Sequence, residues 1–144
     1  MIESVRIRRL PHAVDLPLPD RSSPEAAGYD LRAAEPVGLW LSDTAAVPTG
    51  VCVEIPKGYV GLIRGRSGLA FRQNVWAFDG TIDADYRGEI KVLLANMGAG
   101  AVSIKAGDRI AQLVIVPCLT VPIVEVDTLE ETERGEGGFG STGR

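Results

Sequence analysis

The sequence predicts an all-β protein, a sandwich or distorted barrel of the jelly-roll type, on three observations. Short runs rich in Val, Ile and Leu follow one another at close spacing, and several alternate apolar with polar residues. Gly and Pro punctuate nearly every gap, at Pro36, Gly38, Pro48, Gly50, Pro56, Gly58, Gly98, Gly100, Gly107, Pro117 and Pro122. No window shows a long amphipathic helix free of a breaker. A chain of 144 residues is expected to form one domain with a substantial core.

Along the chain, strands are expected over residues 5–10, 29–34, 39–41 and 50–55, each bounded by turn residues. A fifth, 59–66, follows Pro56 and Gly58, and one short helix is expected over 69–74, directly after Ser67-Gly68. Gly80-Thr81-Ile82-Asp83-Ala84-Asp85-Tyr86-Arg87-Gly88 reads as a tight hairpin bracketed by glycines. Further strands are expected over 89–95, 101–104, 109–116 and 121–126. The apolar pattern stops near Thr128, where Glu130-Glu131-Thr132-Glu133 leads into a glycine-rich tail. The expected division is a β-barrel over 1–127 and a flexible arm over 128–144 that leaves the core. There is no internal repeat.

Composition narrows the function classes. The formal net charge of -4 argues against coating DNA or RNA through a broad basic face. No apolar run is long enough to span a membrane, and no apolar stretch follows the N-terminal arginines as in a signal peptide. Cys52 and Cys118 both sit in apolar runs and read as small buried hydrophobes in a reducing, cytoplasmic setting. His12 is the only histidine, which disfavours a histidine metal site or a Ser-His-Asp triad.

The chemistry concentrates in five segments. In the tail, Arg134-Gly135-Glu136-Gly137-Gly138-Phe139-Gly140-Ser141-Thr142-Gly143-Arg144 carries five glycines, one aromatic ring and two hydroxyls. Backbone N–H groups of such a run can curl around an anion, Arg134 matches phosphate oxygens, and Phe139 offers a face for a nucleobase. An isolated tail of this kind would read as plain disorder. In the hairpin, Asp83 or Asp85 can act as a general base, and two residues apart on a strand they share a face, so pattern alone does not choose. Both could equally cap a turn. Arg66-Ser67-Gly68-Leu69-Ala70 follows a strand and opens a helix, either a phosphate seat or an ordinary cap at Ser67. Ala27-Gly28-Tyr29-Asp30-Leu31-Arg32-Ala33 and Gly107-Asp108-Arg109-Ile110-Ala111-Gln112-Leu113-Val114 insert Asp30, Arg32, Arg109 and Gln112 into apolar strands, where they need partners. An acidic protein that takes a phosphorylated ligand is expected to receive a divalent cation with it.

These five segments, in this order and at these separations, resemble the five motifs of the trimeric deoxyuridine triphosphate nucleotidohydrolases (dUTPases). No segment is specific alone; the ordered set is, and it spans almost the whole chain. The resemblance implies a dUTPase-like jelly-roll subunit in a homotrimer with active sites shared between subunits. It implies hydrolysis of dUTP to dUMP and pyrophosphate with Mg²⁺, and no nucleic-acid or membrane partner. Carried over, Asp83 is the general base and Asp85 is not. Tyr86 packs under the deoxyribose, and the backbone of Gly80, Thr81 and Ile82 meets sugar and base. Arg66, Ser67, Gly68 and Gln112 hold phosphate oxygens, and Lys91 lies where family members contact the nucleotide. Asp30 steadies the metal through water. Phe139 stacks on uracil, while Arg134, Gly140, Ser141 and Thr142 close on the outer phosphates. Many bacterial members carry Asn and Pro before the third motif; here that approach is Ala77-Phe78-Asp79. Two other readings share the resemblance: a dCTP deaminase of the same fold, and a dUTPase-like regulator that binds a protein partner. The tail favours the hydrolase over the first, and the presence of Asp83, Tyr86, Gln112 and Arg134 argues against a dead enzyme.

Overall fold

A computed structural model describes residues 4–140 of the chain. Two four-stranded antiparallel sheets face each other. The first has the order β1–β4–β8–β6, with β1 Arg6–Arg9, β4 Thr44–Glu54, β8 Glu89–Asn96 and β6 Val75–Ala77. The second has the order β2–β10–β5–β7, with β2 Gly28–Arg32, β10 Arg109–Pro117, β5 Tyr59–Arg64 and β7 Gly80–Ile82. A two-stranded ribbon, β3 Val37–Leu39 with β9 Val102–Ile104, closes one end. This is the expected all-β, jelly-roll-like architecture.

Alternation builds the core. On β8, Ile90, Val92 and Leu94 point inward and are fully buried, while Lys91 and Leu93 point out. Leu31, Ile63, Ile110 and Leu113 meet them from the second sheet in one cluster. At about 25 cal/mol per Å² of apolar area removed from water, this interior dominates the folding free energy. Polar groups inside are satisfied: Thr49 Oγ1 donates to the Ile90 carbonyl at 2.6 Å, and Asn96 Nδ2 donates to Leu39 and Gly100 carbonyls.

Gly50 explains a break in the longest strand. Its φ of +70° is a conformation that L side chains rarely adopt, and the β4–β8 register shifts between Pro48 and Cys52 around it. A Cβ there would fall 2.0 Å from that of Ala13, in the 3₁₀ turn Pro11–Ala13.

Several expectations are corrected. Residues 80–88 are not a paired hairpin: β7 bonds to β5 in one sheet and β8 to β4 and β6 in the other, so the segment crosses between sheets. Residues 121–126 form no strand. Pro122 removes a donor, no strand among the described residues pairs with them, and Val121, Ile123 and Val124 stand exposed. The strand expected at 39–41 ends at Leu39, because Asp43 Oδ2 accepts the Trp40 N–H at 2.9 Å and turns the chain. The helix, α1, spans Ser67–Gln73, with Arg66 and not Ser67 at its N-cap. It ends at Asn74, whose φ of 53° is left-handed. Cys52 is buried as expected, but Cys118 is only partly covered, since it lies past the end of β10. Among the described residues no helix is long and apolar enough to cross a membrane.

Candidate active site

The crossover from β7 to β8 shapes the first wall. β7 is pinned to β5 through Ile63 opposite Gly80, Leu62 opposite Thr81 and Gly61 opposite Ile82. The chain then turns: the Tyr86 N–H donates to the Asp83 carbonyl at 3.1 Å. The Tyr86 hydroxyl donates to the Glu89 carbonyl at 2.9 Å, so the ring is tethered at both ends. Gly88 permits this, because a Cβ there would lie 2.4 Å from that hydroxyl oxygen. Arg87 braces the turn from outside through the Ala84 and Tyr86 carbonyls.

The result is a cavity of about 590 Å³ lined by Ile63, Gly80, Thr81, Ile82, Asp83, Tyr86, Glu89, Ile90 and Lys91. That volume suits a small organic ligand. Its walls combine apolar side chains, strand backbone, one cation and two carboxylates. Of the carboxylates, Glu89 is engaged elsewhere: its Oε1 accepts the Gly50 N–H at 2.8 Å and lies 2.7 Å from His12 Nε2. Asp83 forms no ion pair among the described residues. Asp85 does not line the cavity.

A second cluster forms where β2, β10 and the start of α1 meet. Asp30 and Gln112 face each other across the β2–β10 ladder, and Gln112 faces Arg64 across the β10–β5 ladder. The row continues to Asp79, whose carboxylate meets Arg64 Nη1 at 2.5 Å. Asp30 is the hub on the other side: Arg66 Nε lies 3.5 Å from its Oδ1 and Arg109 Nη1 3.3 Å from its Oδ2. Arg66 Nη1 also donates to the Arg109 carbonyl at 3.1 Å, and Gln112 Nε2 donates to the Gly65 carbonyl at 3.2 Å. Beside this cluster lies a cavity of about 460 Å³ walled by Arg66, Gly68, Leu69, Arg72, Gln73, Ile104, Asp108 and Arg109. Three arginines and Asp108 line it, and Asp30 pairs with two of the three, so the balance is positive by one charge and favours an anion.

The two cavities share no lining residue. Of the residues singled out in the sequence, Gly80, Thr81, Ile82, Asp83, Tyr86 and Lys91 come together in the first. Arg66 and Gly68 line the second, and Ser67 is exposed beside them. The described part of the tail, residues 134–140, lines neither cavity. Arg134 Nε is turned back on the Gly137 carbonyl at 2.9 Å, and Phe139 is fully exposed. Gly140 ends the description; Ser141 and Thr142 lie outside the described residues. Sequence reasoning missed Arg72 as a wall of the anion site, and it took Arg109 for a residue needing a partner, not for part of the site. Arg72 lies in the last turn of α1, six residues from Arg66, a separation that does not place two residues on one helix face, so the spacing carried no signal for it.

Among the described residues no three His, Cys, Asp or Glu side chains gather as a metal cage. Asp30, already paired with two of the arginines, and Asp108 are the acidic groups of this cluster among the described residues. This donor set fits a hard divalent ion held chiefly by a ligand's phosphate oxygens and water, with a carboxylate at one remove.

Comparison with known proteins gives a consistent answer. The dUTPase family profile matches residues 15–143. A deoxyuridine 5'-triphosphate nucleotidohydrolase of Beijerinckia indica is 50% identical over 96% of this chain and 91% of that protein. A mutant of the Staphylococcus bacteriophage 80alpha dUTPase, solved with dUpNHpp, superposes with a TM-score of 0.93 at 32% identity, covering 99% of this chain and 100% of that one. A mutant dUTPase from phage phi11 of S. aureus, whose structure reveals coordination of a structural Mg(II) ion, matches with a TM-score of 0.82 at 30% identity, covering 89% of this chain and 99% of that one. The crossover cavity, the arginine cluster and the two-sheet fold thus belong to a member of the dUTPase family, a family of dUTP-hydrolysing enzymes.

Proposed function

We propose that this chain hydrolyses dUTP to dUMP and pyrophosphate by attack of an Asp83-activated water on the α-phosphorus. The observation that carries the reading is the crossover cavity, in which Asp83, unpaired by any cation among the described residues, stands beside Tyr86 and the short strand Gly80–Ile82. A pyrimidine deoxynucleoside fits there: backbone of Gly80, Thr81 and Ile82 bonds base and sugar, and Tyr86 packs under the deoxyribose. Its ring, fixed through the Glu89 carbonyl, fills the space a 2′-hydroxyl would need. Lys91 supplies a cation at the rim.

The triphosphate goes to Arg66, Ser67, Gly68 and Gln112, and Arg134, Phe139, Gly140, Ser141 and Thr142 close over it, with Phe139 on the base. The Asp83 carboxylate takes a proton from water as the water oxygen bonds to the α-phosphorus. The bond from that phosphorus to the bridging oxygen breaks, and pyrophosphate leaves. Positioning and charge neutralisation do most of the work in such a transfer. Mg²⁺, when bound with the phosphates, supplies further charge neutralisation, and Asp30 would hold it through water.

A homotrimer with shared sites is part of the reading. Two features support it: the crossover cavity and the arginine cavity share no wall, and the described tail residues 134–140 line neither within one chain. A further support is the outer face of the first sheet, where Trp76, Phe78 and Leu93 are exposed side by side in the β6–β8 pairing, an apolar patch that other copies would cover. On this reading residues 1–127 are the barrel and 128–144 the closing arm. The test is incubation with dUTP, dCTP, dTTP and UTP in turn, with Mg²⁺, assaying pyrophosphate and ammonia. Pyrophosphate from dUTP above all others is expected; ammonia from dCTP, or no turnover of dUTP, would overturn it.

A further inference from the structure

Gly28 lies on β2, diagonally across the ladder from Gln112 on β10: Gln112 faces Asp30, and Gly28 faces Val114. Gly28 is buried. Its φ is not among the positive ones, so the backbone there would accept any L residue. What forbids a side chain is space. A Cβ on Gly28 would lie 2.1 Å from Gln112 Oε1, 2.8 Å from Cδ and 2.9 Å from Cβ. These atoms run the length of the Gln112 side chain, so swinging its far end does not relieve the contact. Glycine inside a strand weakens it and marks a close approach.

The approach has a use. Lying across β2, the Gln112 amide donates Nε2–H to the Gly65 carbonyl at 3.2 Å. One residue on, Arg66 Nη1 donates back to the Arg109 carbonyl on the same strand as Gln112. The loop before α1 is therefore tied to β10 at two successive residues. A primary amide has two N–H donors, and Gly65 takes one. The other is left for an anion held by the loop.

We propose that Gly28 is a positioning residue for the reaction: its bare Cα lets the Gln112 amide lie across β2, hold the loop at Gly65 and present its second N–H to the triphosphate. This rests on the reading of Gln112 and the Arg66–Gly68 segment as the phosphate site. A side chain at position 28 pushes the amide off, frees the Gly65 carbonyl and removes one phosphate donor at once.

Gly28→Ala, Gln112→Gly and the double variant test it; Gln112→Gly removes all three colliding atoms. Hydrogen exchange of the peptide covering residues 65–68, without nucleotide, is measured first, and steady-state dUTP hydrolysis second. Each single variant is expected to speed exchange of the loop to the same extent, and the double variant to speed it no further. Each single variant should lower kcat/KM by about tenfold or more, mainly through KM, and the double should match Gln112→Gly alone. If Gly28→Ala fails to fold, recovery of folding by adding Gln112→Gly supports the proposal, and failure of the double overturns it. Unchanged loop exchange in Gly28→Ala, or losses that multiply in the double variant, overturn it as well. Loosening of the loop in both single variants with dUTP turnover intact would overturn Gly28's part in the reaction by refuting the phosphate reading, while leaving the packing as described.

Discussion

The Tyr86 N–H donates to the Asp83 carbonyl at 3.1 Å, and this one turn sets both side chains on the wall of the same cavity. Asp85, between them in sequence, is exposed and does not line it. Backbone geometry thus separates two carboxylates that the sequence pattern leaves equivalent. Asp83→Asn should lower kcat by about 10²–10⁴-fold, the usual worth of a general base, because the amide does not accept the water's proton. Binding of dUpNHpp should persist. Asp85→Asn should retain near-parental kcat; an inactive Asp85→Asn beside an active Asp83→Asn would reverse the assignment.

On the proposed reading, Tyr86 is expected to set the choice of sugar. Its hydroxyl is held by the Glu89 carbonyl and packs against Gly88, which fixes the place of the ring although it is partly exposed. UTP should be turned over far more slowly than dUTP, by about 10²-fold or more in kcat/KM. Tyr86→Ala should narrow that gap. Equal kcat/KM for the two nucleotides in the unaltered protein would refute the steric role.

Much of this site was legible because it is local in sequence. Gly80, Asp83, Tyr86 and Lys91 lie within one crossover, so reading the segment places them together. The convergence of Arg66 and Arg109 on Asp30 was not legible, since it joins two strands and the start of α1, all far apart in sequence, and depends on the β2–β10 register. Strands with sustained alternation, such as β8 and β10, were readable from the chain. β6 was not: three residues are too short to show a period. Residues 121–126 were misread for a different reason. Apolar content marks them as strand-like, but a strand is defined by a partner, and the described residues of this chain offer them none. The glycine tail was read as a flap over a nucleotide, yet within one chain Arg134 and Phe139 lie away from both cavities.

Asn96 anchors the end of β8. It is fully buried, its Nδ2 donates to the Leu39 carbonyl at 3.0 Å and the Gly100 carbonyl at 2.7 Å, and its Oδ1 accepts the Gly98 N–H at 2.9 Å. Asn96→Ala leaves those backbone groups without partners and should destabilise the fold by about 1–3 kcal/mol. Urea unfolding at fixed protein concentration checks this; an unchanged midpoint would mean that water replaces the amide at no cost.

The tail is expected to act on a neighbouring subunit. Removing residues 134–144 should leave far-UV circular dichroism and oligomer mass unchanged while abolishing most turnover. Refolding the truncated chain together with Asp83→Asn should restore activity, because some mixed interfaces pair an intact Asp83 with an intact tail. A mixture confirmed by mass and as inactive as its parents would place both parts of the site within one chain.

On the proposed reading, water activated by Asp83 attacks the α-phosphorus of dUTP. Hydrolysis in oxygen-18 water, with mass analysis of both products, tests it most directly. One labelled oxygen should appear in dUMP and none in pyrophosphate, and the same labelled product should fall away with Asp83→Asn. Label in pyrophosphate would place the attack on the β-phosphorus and contradict the account.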